Sequence, residues 1–453
     1  MFQPQLARPW RHPRDWAFVP PHPGPPGTMR IPRRSARLLG TLLSVPILVT
    51  HGCSRGAPET AVDAGSTTPA GLDAPYVVLL SLDGFRHDYL DRYPTPALQR
   101  MAREGVRAER MIPAFPTKTF PTHFTIATGL HAENHGLVGN RFWAPDKGAT
   151  YEVGERAVVE DGSWYRGEPI WVTAERQGMR TASYFFVGSE ADVGGVRPTY
   201  WKRYDGSVPN AARVDTVLSW LALPDAQRPH MITLYFSDLD DVGHEFGPES
   251  PEVGAAVAAV DEQIGRLLDG VAALPHGDSV YVIVVSDHGM LRAEAARAQP
   301  LDLSGLAGVR MVESGPYASL FVDDGGPARL PGVRDSLQAM LPEADVWLRA
   351  EVPERFHYRA DPRIGDILIL ARPGATVLPS GWMPARDGYT HGWDNETPEM
   401  GAIFLAVGPR IAPGQSVGAF ESVHVYPLLA HLLGLDPAPA DGRLDVLAPI
   451  LRP

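Results

Sequence analysis

The sequence is poor in cysteine, in positive charge and in long hydrophobic runs. Its single cysteine, Cys53, excludes a disulfide bond within the chain. The formal net charge of −12 argues against a nucleic-acid polymer as partner, because phosphate backbones select basic surfaces. A small phosphorylated substrate is compatible with this charge, since bound metal ions can supply positive charge locally. The chain also has no internal repeats, no coiled-coil heptads and no blocks of like charge.

What is present describes an ordinary globular protein. Hydrophobic residues make up 44% of the chain and charged residues 21%. A length of 453 residues accommodates one large domain with an insertion, or two domains. Residues 1–28 are rich in proline, arginine and aromatic residues without periodicity, so we predict no fold for them, and translation from Met29 would omit them. Residues 54–74, rich in Ala, Gly, Thr and Pro, are predicted to form a linker.

Residues 29–53 have the pattern of an export signal. A basic start is followed by an apolar run from Leu38 to Val49, which is too short for a membrane span. Gly52-Cys53 resembles a bacterial lipoprotein cleavage site, which predicts a lipid tether on Cys53. Thr50-His51 departs from the residues that usually precede such a site, so an ordinary signal peptide with an incidental cysteine is the alternative. Either interpretation predicts an exported protein: periplasmic, anchored to the outer membrane, or secreted.

The rest of the chain alternates apolar strands with helices. The near-continuous apolar run from Tyr76 to Leu82 is typical of a strand buried on both faces in a parallel sheet. Thr95-Pro96 predicts the start of a helix that ends at Gly105, and Ser250-Pro251 starts another with an apolar stripe. Further strands are predicted at Thr181 to Phe186, Met231 to Phe236, Val280 to Val285, Ile367 to Leu370 and Ala402 to Val407, and a last helix at Val425 to Leu435. This order predicts an α/β fold with a central, mostly parallel sheet sandwiched by helices. The less regular region at about 140–225 is expected to include an elaboration beside the active site.

A hydroxyl stands at the start of a predicted helix in the segment Phe115 to His123. Pro121 suits the first turn of a helix running to Thr128, because its missing N–H would be unpaired there anyway. Gly129 follows as the stop residue. Thr119 would then lie at a helix N-terminus, where free N–H groups and the helix dipole favour an alkoxide and a bound phosphate. A plain N-cap is the alternative role for this threonine.

Acidic residues follow three of the predicted strands. Asp83 comes after the first, the Asp238–Asp241 segment after the third, and Asp287-His288 after the fourth. In open α/β sheets ligands bind beyond the carboxyl ends of the strands. Asp240 and His244 are one helical turn apart and can face one ion, although spacing leaves Asp238 and Asp241 as alternatives.

His391, in a glycine-flanked loop, completes three carboxylates and three imidazoles, the ligand mix expected for Zn²⁺. Two such ions would clamp the attacking and leaving oxygens of a phosphoryl displacement. Other histidines lack this context. His123 and His135 are expected to form hydrogen bonds within helices or loops.

Together these segments resemble the nucleotide pyrophosphatase/phosphodiesterase family of the alkaline phosphatase superfamily, in its bacterial form. The resemblance covers nearly everything from Tyr76 onward, so residues 75–453 are expected to form the catalytic domain. It is carried by Ser81-Leu82-Asp83-Gly84, Pro116-Thr117-Lys118-Thr119-Phe120-Pro121, Thr128-Gly129-Leu130, Gly243-His244, Val285-Ser286-Asp287-His288-Gly289-Met290 and Thr390-His391-Gly392.

The resemblance implies an alkaline-phosphatase-like fold and two zinc ions. One would be held by Asp240, His244 and His391, which favours Asp240 over its acidic neighbours. The other would be held by Asp83, Asp287 and His288, with Thr119 bound to it as the nucleophile. Asn140 takes the position of a donor to a phosphate oxygen. The family's substrate pocket falls on Phe120, Val153, Tyr204 and Tyr235. The sequence departs from the family pattern at Thr122, at Phe186-Val187, at Val153 and at Trp393.

The expected activity is hydrolysis of nucleotide phosphodiester and pyrophosphate bonds through a phosphothreonine, releasing nucleoside 5′-monophosphates. The partner is then a small nucleotide, and the sequence carries no signal for an oligomer. The closest alternative is a phosphodiesterase of lysophospholipid or glycerophosphodiester headgroups. Sulfate esters are disfavoured because no Cys or Ser heads a Pro-x-Arg signature. A binding protein without activity would require a lost ligand or nucleophile, and none is missing.

Overall fold

The computed structural model describes residues 74–323 and 326–452. The predicted export signal, Cys53 and all but the last residue of the predicted linker lie outside the described residues. Within the described ranges, no helix has both the length and the apolar character needed to cross a membrane.

The strands of the described residues are β1 (Tyr76–Leu82), β2 (Val106–Ala108), β3 (Met111–Ile112), β4 (Arg141–Ala144), β5 (Ala149–Glu152), β6 (Thr181–Tyr184), β7 (Tyr200–Lys202), β8 (Met231–Phe236), β9 (Val280–Val285), β10 (Leu291–Ala293), β11 (Ala298–Leu301), β12 (Val309–Glu313), β13 (Tyr317–Val322), β14 (Ala344–Leu348), β15 (Ile367–Ala371), β16 (Thr376–Pro379), β17 (Gly388–Thr390), β18 (Phe404–Val407), β19 (Gln415–Val417) and β20 (Phe420–Glu421). The α-helices are α1 (Tyr89–Arg92), α2 (Pro96–Glu104), α3 (Thr119–Thr128), α4 (Ala132–His135), α5 (Arg156–Val159), α6 (Ile170–Arg176), α7 (Asn210–Leu221), α8 (Asp238–Phe246), α9 (Pro251–Ala272), α10 (Leu330–Met340) and α11 (Val425–Leu433).

A central sheet of eight strands organises the described part of the chain, in the order β19-β2-β18-β9-β1-β8-β6-β7. The strands β9, β1, β8, β6 and β7 are parallel to one another. The strand β18 runs antiparallel to both of its neighbours. The predicted central, mostly parallel sheet is therefore confirmed.

Helices cover both faces of this sheet. Along β1, Val77 and Leu79 belong to one hydrophobic core, which includes residues of α3, α6 and α11. Val78 and Leu80 point to the other face, into a core with residues of α2, α7 and α9. Alternate residues of a strand face opposite sides, so an uninterrupted apolar strand requires two apolar layers. Burying each such side chain fully contributes about 1.5–3 kcal/mol.

Predicted element boundaries differ from the observed ones where the backbone turns sharply. The helix α3 begins at Thr119, two residues before the predicted start at Pro121, because extended Lys118 is its N-cap and a proline fits anywhere in a first turn. The strand β6 ends at Tyr184 since Phe185 has a φ of 72°, outside the extended region. The last helix ends at Leu433, where Gly434 is left-handed.

The accessory parts of the fold lie partly outside the predicted region. The β4–β5 hairpin falls within 140–225, but the same region also supplies β6 to the central sheet. A separate four-stranded sheet, in the order β12-β13-β15-β14, was not predicted. It includes the predicted strand at Ile367, and its own hydrophobic core contains Val333 and Leu337 of α10.

The parallel register brings three acidic segments to one edge. Ser81 of β1 stands opposite Tyr235 of β8 and Val285 of β9. The three strands therefore end at nearly the same level of the sheet. The segments that follow them begin at Asp83, at the start of α8 and at Asp287. This carboxyl edge of the sheet holds the candidate site.

Candidate active site

Thr119 lies at the first position of α3, at the carboxyl edge of the sheet. Its side chain is partly exposed, and its Oγ1 is 3.4 Å from Nε2 of His288. Gly129 ends the helix with a φ of 67°, as the sequence predicts. The hydroxyl therefore faces the histidine that follows β9.

A first cluster consists of Asp83, Asp287 and His288. Nε2 of His288 is 3.0 Å from Oδ2 of Asp287 and 3.6 Å from Oδ1 of Asp83. All three side chains are buried. Oδ1 of Asp287 accepts a hydrogen bond from the N–H of Gly84, so its second oxygen is left to face the histidine.

A second cluster consists of Asp240, His244 and His391. Oδ1 of Asp240 is 3.3 Å from Nε2 of His244 and 3.7 Å from Nε2 of His391. The first two residues are one turn apart on α8, and the third follows β17. Of the competing acids, Asp238 accepts a hydrogen bond of 2.7 Å from Asn210 instead, and Asp241 is exposed.

The three imidazoles of these clusters share one orientation. The Nδ1 atom donates to a main-chain carbonyl in each case: His244 to Tyr389, His391 to Thr117 and His288 to Gly289. A ring that donates from Nδ1 presents an unprotonated Nε2 when it is neutral, which is the form that binds metals. All three Nε2 atoms point toward carboxylates.

The carboxylates of the two clusters are also suited to binding cations. Oδ1 of Asp83, Oδ1 of Asp240 and Oδ2 of Asp287 are buried and have no hydrogen-bond partner among the described residues. Burial, and then the charges of Asp287 and Asp240, raise the pKa of Asp83 well above its ordinary value. Such unpaired buried oxygens are costly unless a cation neutralises them. Carboxylates combined with imidazoles suit Zn²⁺, so the residues present fit the metal that the sequence predicts.

The two clusters lie side by side. The rings of His288 and His391 stack with their centroids 3.5 Å apart. Gly84, which follows Asp83, has a φ of 70°, and a Cβ placed on it would lie 3.0 Å from Cα of Asp240. Main chain thus packs on main chain between the two clusters.

His123 lies beside the first cluster without belonging to the predicted ligands. Its Nδ1 is 2.9 Å from the carbonyl oxygen of Thr119 and 3.2 Å from Oδ2 of Asp287. Ser81 donates its hydroxyl to the other ring nitrogen at 2.8 Å. Both nitrogens are therefore engaged, which matches the hydrogen-bonding role expected from the sequence and fixes the backbone of Thr119.

Asn140 lies against the start of α3. Its Oδ1 accepts a 3.0 Å hydrogen bond from the N–H of Phe120, which leaves its amide NH₂ for another partner. The expected helix N-terminal donors are correspondingly fewer, since Phe120 N–H is occupied and Pro121 has none. The side-chain amide of Asn140 is a neutral group close to the start of α3.

The predicted pocket residues fall into two groups in the structure. In one group, Phe120 is partly buried with its ring centroid 6.3 Å from Tyr151, and the N–H of Val153 donates to the carbonyl of Asn140. In the other, Tyr204 is 42% exposed and stands edge-on to Tyr235, 6.2 Å away.

Tyr235 has a role that the sequence does not reveal. It is only 8% exposed, and its hydroxyl donates a 2.6 Å hydrogen bond to Oδ2 of Asp83. Ser286 similarly accepts from the N–H of Phe85 and donates to the carbonyl of His288. These side chains orient the candidate ligands. The signal available for Ser286 was its place at a strand end next to Asp287, and Tyr235 was expected only as a pocket residue.

Residues 77–394 match the family model for type I phosphodiesterase/nucleotide pyrophosphatase. Human ectonucleotide pyrophosphatase/phosphodiesterase family member 1 is 35% identical over 400 residues, which cover 85% of this chain but only 42% of the human protein. The chain thus spans less than half the length of that relative. Human family member 7 is 35% identical over 407 residues, 86% of this chain and 87% of the relative.

Solved structures agree in fold. Murine ectonucleotide pyrophosphatase/phosphodiesterase 5, as an inactive threonine-to-alanine variant in complex with AMP, matches with a TM-score of 0.78 and 31% identity over 83% of this chain and 100% of that chain. The human protein of the same name gives a TM-score of 0.78 at 30% identity, with the same coverage. With acids at three strand ends, a threonine at the start of α3 and these matches along most of its length, the chain belongs to the type I phosphodiesterase/nucleotide pyrophosphatase family, within the alkaline phosphatase superfamily.

Proposed function

We propose that this protein hydrolyses nucleotide phosphodiester and pyrophosphate bonds through a phosphothreonine and releases nucleoside 5′-monophosphates. The observation that carries the proposal is the Thr119 hydroxyl, which faces His288 beside two clusters of carboxylate and imidazole groups. The murine relative supports it, since its inactive variant lacks a threonine and holds AMP.

We propose that Asp83, Asp287, His288 and Thr119 hold one zinc ion, and that Asp240, His244 and His391 hold the other. When bound, zinc supplies a Lewis acid that lowers the pKa of a hydroxyl and neutralises charge on a departing oxygen. The protein's own part is to keep Nε2 of each histidine unprotonated through the bonds at Nδ1. Tyr235 adds a fixed orientation to Asp83.

The reaction is proposed to consist of two displacements. In the first, Oγ1 of Thr119 forms a bond to phosphorus as the bond to the leaving oxygen breaks, and the threonine proton passes to solvent. In the second, water attacks phosphorus and loses a proton to solvent, the bond to Oγ1 of Thr119 breaks and that oxygen regains a proton, and the 5′-monophosphate is released. Asn140 donates its amide N–H to a non-bridging oxygen, where negative charge grows in both steps. A neutral amide suits the single negative charge of a diester.

Replacing Tyr235 with phenylalanine is expected to lower zinc affinity by about 10–100-fold, the usual effect of removing a group that orients a ligand. The ring remains, so the packing around it is kept. Zinc retention during titration with a chelator measures the change. A matched control is Tyr200→Phe, whose hydroxyl bonds the carbonyl of Gln227 in an exposed contact. Equal chelator sensitivity of Tyr235→Phe and wild type would contradict the proposed role of Tyr235 in orienting Asp83.

The substrate class is tested by comparing ATP and a nitrophenyl thymidine phosphodiester with nitrophenyl phosphate and lysophosphatidylcholine. We expect the nucleotides to have the highest kcat/KM. We further expect Tyr204→Ala to lower that value by about 5–150-fold, the equivalent of roughly 1–3 kcal/mol of base stacking. A higher kcat/KM for the lipid would favour the lipid-headgroup alternative. No effect of Tyr204→Ala would remove this residue from the proposed pocket, whatever the zinc chemistry.

Localisation and partners complete the proposal. The pattern of residues 29–53 supports an exported enzyme in the periplasm or on the outer membrane, tethered through a lipid on Cys53. Its partner is a small nucleotide rather than a nucleic-acid polymer, in keeping with the net charge of −12.

A further inference from the structure

Glu190 is a buried carboxylate that the proposed chemistry does not use. It is 6% exposed and follows the turn that departs from the family pattern at Phe186-Val187. Its Oε1 accepts a 3.0 Å hydrogen bond from the main-chain N–H of Tyr204, and its Oε2 pairs with Arg156. A buried carboxylate requires such partners, and here one of them is the backbone of a proposed pocket residue.

The same carboxylate belongs to a network of charges around the Tyr204 segment. Arg156 also donates a 2.8 Å hydrogen bond to Glu160, which in turn accepts one of 2.7 Å from Arg203. Arg197 donates to the carbonyl of Glu190 at 2.9 Å. The segment carrying Tyr204 is thus tied at two adjacent residues to α5 and to the turn after β6.

The side chain of Tyr204 needs such a support. Its ring is 42% exposed and meets the rings of Phe185 and Tyr235 edge-on, with centroid distances of 5.2 and 6.2 Å. An exposed ring on an irregular segment is weakly ordered by packing alone. A main-chain hydrogen bond to a buried charge lowers the cost of ordering it when a flat ligand arrives.

We propose that Glu190 is a positioning residue that holds Tyr204 as one wall of a nucleobase site. This inference rests on the proposed function and names the residue on which its base recognition depends. Glu190 acts through the backbone of Tyr204 and does not touch the base. Its effect is therefore the same for every base and absent for a diester without one.

The test uses nitrophenyl esters of thymidine 5′-phosphate and adenosine 5′-phosphate, with methyl nitrophenyl phosphate as the diester lacking a base. Glu190→Ala is expected to raise KM about tenfold for both nucleosides, while kcat stays within about threefold. Hydrolysis of the methyl diester is expected to remain unchanged. Glu190→Gln keeps an oxygen for the N–H of Tyr204, and Arg156 keeps Glu160, so this variant should restore most of the wild-type KM. Glu155→Ala, an exposed glutamate just before α5, is the matched control.

The outcomes separate the alternatives. A loss confined to adenosine or to thymidine would show that Glu190 contacts the base, and an equal loss on the methyl diester would show a general structural role. Either result overturns the positioning role, as does a Glu190→Ala variant with unchanged KM. If wild type itself does not prefer the nucleoside esters over the methyl diester, the proposed substrate class is wrong. The proposed nucleobase site at Tyr204 is then wrong as well.

Discussion

Thr119→Ala is expected to lower turnover of a nitrophenyl nucleotide diester by about 10⁴-fold or more, the scale seen when a covalent nucleophile is removed. The hydroxyl of Thr119 faces His288 at 3.4 Å. Asp83, Asp287, His288 and Asn140 remain in the variant, so substrate binding and zinc content should largely persist. The measurements are single-turnover kinetics and zinc content by mass spectrometry.

Thr119→Ser is the matched variant, because serine keeps the oxygen and loses only a methyl group. It should retain part of the activity and form a phosphoserine that acid quenching can trap. Near-normal turnover by purified Thr119→Ala would contradict the proposal that Thr119 is the nucleophile. Loss of activity together with loss of zinc would instead indicate that the alanine had disturbed the metal site.

His391→Ala is expected to remove one of the two proposed zinc ions and to reduce turnover by more than the roughly 10–100-fold that follows loss of a group that only orients a ligand. Its cluster would keep only Asp240 and His244, fewer than the three protein ligands of a catalytic zinc site. The variant also frees the carbonyl of Thr117, two residues before Thr119. Zinc per chain and kcat/KM are the readouts.

An exposed histidine on α11, His431, provides the control for this experiment. His431→Ala removes an imidazole of the same type far along the sequence from both clusters, and it should keep the zinc content and activity of wild type. Unchanged zinc content and turnover in His391→Ala would show that the loop after β17 has no part in the site.

Much of the fold could be predicted because strong signals were local. The strands β1, β8 and β9 have their predicted bounds, since each is a near-continuous apolar run that stops at a polar residue. Their parallel arrangement alone then places Asp83 and Asp287 at one edge. The four-stranded accessory sheet was missed as a unit because two of its strands, β12 and β14, are partly exposed and lack a clear apolar pattern.

The site itself was less accessible from sequence. Sequence spacing does not distinguish Asp238, Asp240 and Asp241 as ligands. In the structure Asn210 of α7 donates a hydrogen bond to Asp238, which sets this carboxylate apart from Asp240. The bonds of Tyr235 to Asp83 and of Glu190 to Tyr204 likewise join residues from different strands and loops. Such contacts depend on how elements pack, which no local periodicity records.

The contact between Gly84 and α8 limits which residues position 84 can accept. A Cβ at position 84 would lie 3.0 Å from Cα and 3.1 Å from the main-chain nitrogen of Asp240, and neither atom can swing aside as a side-chain end could. The distance between the two clusters is consequently set by the backbone and not by any side chain. A side chain at position 84 would therefore displace the main chain of α8 and alter the distance between the two clusters.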